Sequence, residues 1–268
     1  MASTGKSDQR REARERLRNE RAAEVRRARL RGRLLVGAGL STVLVIAAAA
    51  GILAAKPGGS DDGEAAGRPF VQPAHTEGED GIVVPYGRAG APHTLTVWLD
   101  PRCPFCAGVE QGLGPTFKEQ ADAGEYRIEY RFATFLDQAF GGRGSRRALN
   151  ALGAAVNESP EKFMAYAQVL FAHHPARETD DVYASTDTLL DLAGRVPGLR
   201  TPAFDRAVTD LTYMPWVEKV GQAFRDEGMK GTPAVFIDGT KLTVNSGDGI
   251  ASVTPQAFRQ LVAEHRRP

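Results

Sequence analysis

Apolar positions along this chain follow three patterns, and each pattern predicts a different element. An unbroken run at residues 34–55 carries no charge over 22 positions. Alternation marks 94–99, 126–132, 234–237 and 241–244, rich in Val, Ile, Thr and aromatic residues, and predicts strands. A spacing of four, through Val109, Leu113, Phe117 and Ala121, predicts a helix from about 103 to 123, disturbed near Gly112 to Pro115. Ile82 to Val84 reads as a short edge strand stopped by Pro85. Strand 94–99, the helix and strand 126–132 then form a βαβ unit, for which parallel pairing is expected.

Residues 137–228 read as almost wholly helical. Ser145 can cap a helix over 146–156, Ser159-Pro160 and Thr201-Pro202 can start two more, and further helices fit 185–193 and 214–227. Asp238-Gly239 predicts the turn of a hairpin, and Thr254-Pro255 caps a last helix to about His265. The order is strands and a helix, a helical insertion, a hairpin and a helix.

The apolar run matches the roughly 20 residues that a helix needs to cross a bilayer. Charge agrees with that reading. The overall net charge of +1 conceals Lys6 and eleven arginines against five acids in residues 1–33, a net of +7, which leaves −6 for the rest. Arginines crowd the N-terminal flank of the run, so the tail 1–33 is expected in the cytoplasm, 34–55 as a single-pass anchor, and the remainder outside. A cleaved signal peptide is the alternative, but its apolar region is usually only about 7–15 residues. Nucleic-acid binding by the tail is disfavoured, because glutamates interleave the arginines and no aromatic residue offers stacking. Residues 56–80 are rich in Gly, Pro, Ala and acids and read as a flexible tether, with the folded domain expected over 81–268.

Cys103 and Cys106 are the only cysteines. Two positions apart at a helix start, they permit a small disulfide ring, and the unpaired N–H groups there favour a Cys103 thiolate. Cys103 is then the attacking or attacked sulfur, and Cys106, more buried, resolves the mixed disulfide. A structural disulfide would close too short a loop to stabilise much. Zinc would need two further ligands, and the five histidines lack the usual spacing, so neither metal nor cofactor is expected. An inert thiol pair remains the third alternative. Arg102 can add thiolate stabilisation, although a solvated surface arginine is its plainer reading.

These segments resemble the DsbA-like branch of the thioredoxin superfamily from about residue 81 to the C-terminus. Asp100-Pro-Arg-Cys-Pro-Phe-Cys is similar to the family's cysteine motif, 145–148 with 161–171 to its helical insertion, and the Gly231-Thr-Pro segment running into 234–239 to its second signature. The resemblance implies an α/β thioredoxin-like fold with a helical insertion between the βαβ half and the hairpin-helix half. It also implies a cis Pro233, with Thr232-Pro233 beside Cys103 to receive an extended substrate, and a redox-tuning pair in Pro104 and Phe105. Two positions depart from the pattern. Val97 and Trp98 stand where the family carries a buried acid in the strand, while Asp100 lies nearer the cysteine and reads by itself as a turn former or cap. Pro104-Phe105 is neither the Pro-His of oxidising members nor the Gly-Pro of thioredoxins. The function implied is disulfide formation in exported, cysteine-bearing proteins, with reoxidation by a membrane electron acceptor. A reductase or isomerase serving metal-site or cytochrome assembly would use the same residues, and a non-catalytic tethered binding protein would keep the fold alone.

Overall fold

The computed structural model describes residues 64–175, 177, 179–245 and 252–266. The basic tail, the apolar run 34–55 and the first part of the tether lie outside the described residues. Among the described residues no helix is long and apolar enough to cross a membrane.

Five strands form one mixed sheet in the order β1-β3-β2-β4-β5. They are β1 (Val84–Tyr86), β2 (Thr94–Leu99), β3 (Arg127–Phe132), β4 (Ala234–Ile237) and β5 (Thr240–Leu242). The central pair β2 and β3 is parallel, as the βαβ pattern requires, with Val97 opposite Tyr130. The other three pairings are antiparallel. Alternation aims Leu95, Val97 and Leu99 of β2, with Ile128, Tyr130 and Phe132 of β3, into the main core. Trp98 points the other way, against Ala133, Ala234 and Phe224. β1 lies two residues later than its apolar run suggested and includes Pro85, which a sheet edge tolerates because the missing N–H costs no ladder bond.

α1 (Pro104–Asp122) connects β2 to β3 and buries Val109, Leu113 and Phe117. It runs unbroken through Pro115, so the expected disturbance at 112–115 is absent. Its two mid-helix glycines answer to close neighbours. A Cβ on Gly112 would lie 2.0 Å from Ser252 Oγ, and one on Gly114 2.8 Å from Glu110 Oε2.

The insertion comprises α2 (Phe135–Phe140), α3 (Gly144–Glu158), α4 (Pro160–Ala172), α5 (Thr186–Ala193), α6 (Pro202–Thr209) and α7 (Met214–Asp226). Ser159, Ser185 and Thr201 cap their helices by accepting N–H bonds from Lys162, Thr188 and Phe204. Ser145 does not cap. α3 starts one residue earlier, and the Ser145 hydroxyl is spent on Asp100 instead. α4 packs on α1 and sets Phe163 against Tyr130 and Phe132, at ring distances of 5.5 and 6.1 Å. The hairpin turns at Asp238 and Gly239, both at positive φ, and α8 (Pro255–His265) is capped by Thr254.

Residues 64–80, which composition assigns to the tether, lie along this body. The Glu64 carboxylate pairs with Arg147 at 2.7 Å and Arg143 at 3.3 Å, and Ala74 N–H donates to Asn157 Oδ1 at 3.0 Å. Just beyond, Trp216 Nε1 donates to the Gly81 carbonyl at 2.8 Å. Partners some 80 or more positions distant fasten a stretch whose own apolar content is low, which is why composition misses it.

Candidate active site

β2 ends at Leu99, and the chain turns at once. The Asp100 carbonyl accepts the Cys103 N–H at 3.0 Å, and its carboxylate accepts the Arg102 N–H at 3.0 Å. Both bonds close over two or three residues and form the turn that the Asp-Pro pair foretold. Cys103 keeps extended backbone as the N-cap of α1, Pro104 takes the first helical position where its missing N–H is harmless, and Ala107 N–H bonds the Cys103 carbonyl at 3.0 Å. Cys103 therefore sits at the positive end of a 19-residue helix.

Both thiols are free. Cys103 is 3% exposed and Cys106 fully buried. The Cys103 thiol reaches the Thr232 carbonyl at 3.5 Å. Sheet register explains this meeting across 129 positions. β4 runs antiparallel to β2 with Ala234 opposite Trp98, so the residues before β4 arrive where β2 ends. The Thr232–Pro233 bond is cis. The structure thus brings together Cys103, Cys106, Thr232 and Pro233, with Pro104 at the helix start and Phe105 half-buried against the core.

Burial pushes the Cys106 thiol up, and neighbouring Cys103 adds to the effect. The Thr232 hydroxyl and the Asp100 N–H, 3.5 Å from Cys106 Sγ, pull the other way. Asp100 is itself wholly buried, and burial, with the charge of Asp137 adding, raises its carboxyl to about 7 against the donors it has gathered. Those donors are the Ser145 hydroxyl at 2.6 Å, the Arg102 N–H and the Leu136 N–H at 3.3 Å. One carboxylate thereby ties the cysteine turn to α2 and α3.

Arg102 is not a solvated arginine. It is 1% exposed, and its guanidinium holds Asp137 at 2.8 Å, the Gly141 carbonyl at 2.8 Å and Asp181 at 3.4 Å. Asp137 also accepts the N–H groups of Ser145 and Arg146, both at 2.9 Å. Burial still holds its carboxyl above the ordinary range, with Arg102 opposing. The guanidinium is committed to the insertion, and its partners stand 35 or more positions away, out of reach of local sequence patterns.

A further buried acid escaped the sequence reading. Glu110 is 3% exposed, and burial raises its carboxyl to about 8, opposed by the Tyr130 hydroxyl facing it from β3. A signal existed. Glu110 follows Cys106 by four positions and stands on the apolar stripe with Val109 and Leu113, where a charged residue is out of place.

The thioredoxin family matches this chain over residues 79–262. Disulfide bond formation protein D of Bacillus subtilis (strain 168) is 24% identical over 153 residues, 57% of this chain and 66% of that protein, so the chain spans just under two thirds of this relative's length. Among solved structures, the reduced disulfide bond oxidoreductase DsbG of Mycobacterium tuberculosis superposes with a TM-score of 0.56 at 22% identity, covering 69% of this chain and 88% of that one. Oxidised BdbD from Bacillus subtilis gives 0.56 at 19%, covering 74% and 97%. Oxidised DsbA of Mycobacterium tuberculosis gives 0.55 at 22%, covering 68% and 91%. At these identities the structures speak for a shared fold.

Proposed function

We propose a function in thiol–disulfide exchange from one premise: the chain belongs to the thioredoxin family, in its DsbA-like branch of thiol–disulfide oxidoreductases. In the oxidised enzyme, Cys103 and Cys106 are joined. A partner thiolate attacks Cys103 Sγ, the Cys103–Cys106 bond breaks, and Cys106 departs and takes up a proton. A second thiolate of the partner then attacks its own sulfur in the mixed disulfide and releases the Cys103 thiolate. Two electrons pass from the partner to the enzyme, and a membrane electron acceptor removes them to restore the starting state.

The observation that carries this reading is the Cys103 sulfur at a helix start, 3.5 Å from the Thr232 carbonyl of a cis Thr232–Pro233 loop, with Cys106 buried behind it. An extended partner segment lying along Thr232 would present its sulfur to Cys103 through backbone contacts, which suits many partners. Pro104 and Phe105 tune the potential from within the ring. The partners are exported proteins bearing cysteines, met outside the cytoplasm by a domain that residues 34–55 anchor in the membrane. The direction proposed is oxidation of the partner.

Equilibrating the full chain with glutathione buffers measures its potential, and an oxidant should lie more positive than about −200 mV. Cys106→Ala should accumulate mixed disulfides through Cys103, and Cys103→Ala should abolish exchange with a model dithiol. A thioredoxin-like potential near −270 mV would reverse the direction. Undiminished exchange by Cys103→Ala would refute the catalytic assignment.

A further inference from the structure

Two neighbouring histidines follow α4, and the fold treats them differently. The His173 ring is exposed, with Nδ1 on the Val169 carbonyl at 2.7 Å and Nε2 against Arg195. His174 is half-buried and turns inward. Its Nδ1 lies 2.7 Å from the Pro175 carbonyl, and its ring meets the buried Tyr183 ring edge-on at 6.4 Å. Its Nε2 is buried and, among the described residues, has no well-formed hydrogen bond. The Arg102 carbonyl faces the same ring. That carbonyl belongs to the peptide whose N–H is that of Cys103, so an imidazole from the insertion stands against the cysteine turn.

A carbonyl oxygen only accepts, so the Nδ1 facing Pro175 carries the hydrogen, and neutral His174 has a bare Nε2 with no second N–H to offer Arg102. The imidazolium has one. Burial opposes that charge and holds the imidazole below the ordinary range; the Arg102 guanidinium adds to the effect, while the Arg102 and Pro175 carbonyls oppose it. The groups around this end of α4 are otherwise engaged. On α1, neutral Gln111 donates to the Phe171 carbonyl at 2.7 Å, and on α3, Arg147 holds Glu64 and the Ala184 carbonyl. Burial keeps the Tyr183 hydroxyl protonated, and it donates to the Leu170 carbonyl at 2.6 Å. Asp137 and Asp181 are turned to the Arg102 guanidinium. On α5, Asp187 is in solvent and Asp191 acts on Arg200. The negative charge left to favour an imidazolium is the one that the chemistry makes and removes, the Cys103 thiolate.

We propose that His174 is a positioning residue of the exchange site: it takes up a proton as the Cys103 thiolate forms, and the imidazolium, donating to the Arg102 carbonyl, offsets the thiolate charge. The inference rests on the thiol–disulfide reading above. The balance closes. A partner dithiol gives two electrons to the Cys103–Cys106 bond and becomes a disulfide; one of its two protons ends on Cys106 and the other, through solvent, on His174. The Cys103 thiolate and the imidazolium leave no net charge. Reoxidation removes the two electrons and releases both protons. The coupling is reciprocal: whatever the thiolate contributes to proton binding at His174, the proton contributes to the thiolate.

The test follows the sequence-assigned His174 imidazole by NMR against pH in the full chain, oxidised, reduced, and reduced carrying Cys103→Ser. The reduced parent should titrate about half a pH unit or more above the other two, which is about threefold tighter proton binding. His174→Gln keeps an N–H for Pro175 but carries no charge. Against glutathione buffers it should shift the equilibrium toward the disulfide by about twofold or more near pH 6 and match the parent at about pH 9. His173→Gln, its ring being exposed, should leave the equilibrium unchanged at both. If His174→Gln does not fold, the redox states of the parent decide the matter alone. A His174 titration that is the same in oxidised and reduced chains, or an equilibrium that His174→Gln moves equally at both pH values, would overturn the proposal. Exchange activity with an unlinked His174 refutes this inference alone; a redox-linked His174 without exchange refutes only the catalytic reading.

Discussion

Replacing Glu110 by Gln should change how the stability of the domain depends on pH. The folded carboxyl titrates at about 8, against an ordinary value of 4.5. Between those values the folded chain keeps a proton that the unfolded chain has lost, so raising the pH favours unfolding. The contribution is complete below 4.5 and is lost as pH rises through about 8. An interval of about 3.5 pH units at 1.36 kcal/mol each corresponds to about 5 kcal/mol, an upper figure for a group this deeply buried. Gln fills nearly the same volume, offers the Tyr130 hydroxyl the same acceptor and has no proton to lose. The stability of Glu110→Gln relative to the parent should therefore climb by several kcal/mol from pH 4 to pH 9. Urea unfolding of the reduced proteins at a series of pH values measures it. The raised carboxyls of Asp100 and Asp137 are common to both proteins and cancel in the difference. A flat difference across that range would show that Glu110 is not held neutral by burial, and the reasoning would fail.

Two further substitutions probe the packing around the site. Arg102→Met leaves Asp137 buried without its cation and should cost about 3–5 kcal/mol by urea unfolding; adding Asp137→Leu should recover much of that loss, and strict additivity of the two would contradict the pairing. Gly114→Ala should fail to deliver the roughly 1 kcal/mol that helix propensity promises, because its Cβ meets the Glu110 carboxyl at 2.8 Å. In a Glu110→Ala background the same change should stabilise, and equal effects in both backgrounds would dismiss the contact.

Much of this protein is written in short-range patterns. Alternation located β2, β3 and β4, the spacing of Val109, Leu113 and Phe117 located α1, and Ser159, Ser185, Thr201 and Thr254 marked their helices, because strand faces, helix faces and caps depend on neighbours within about four residues. The cysteine pair at a helix start belongs to the same class. Its setting does not. That Cys103 meets the Thr232 carbonyl follows from the antiparallel register of β4 on β2, and that Arg102 is buried follows from Asp137 and Asp181 arriving from the insertion. Ser145 looked like a cap and became a donor to Asp100, and residues 64–80 looked like a tether and lie along the insertion. In every such case the deciding partner lies at least 35 positions away. A charged side chain in an apolar interior is stabilised or stranded by what chain folding brings to it, and Glu110 is acid enough to read in the sequence but buried enough to hold its proton only once β3 and α4 have closed over α1.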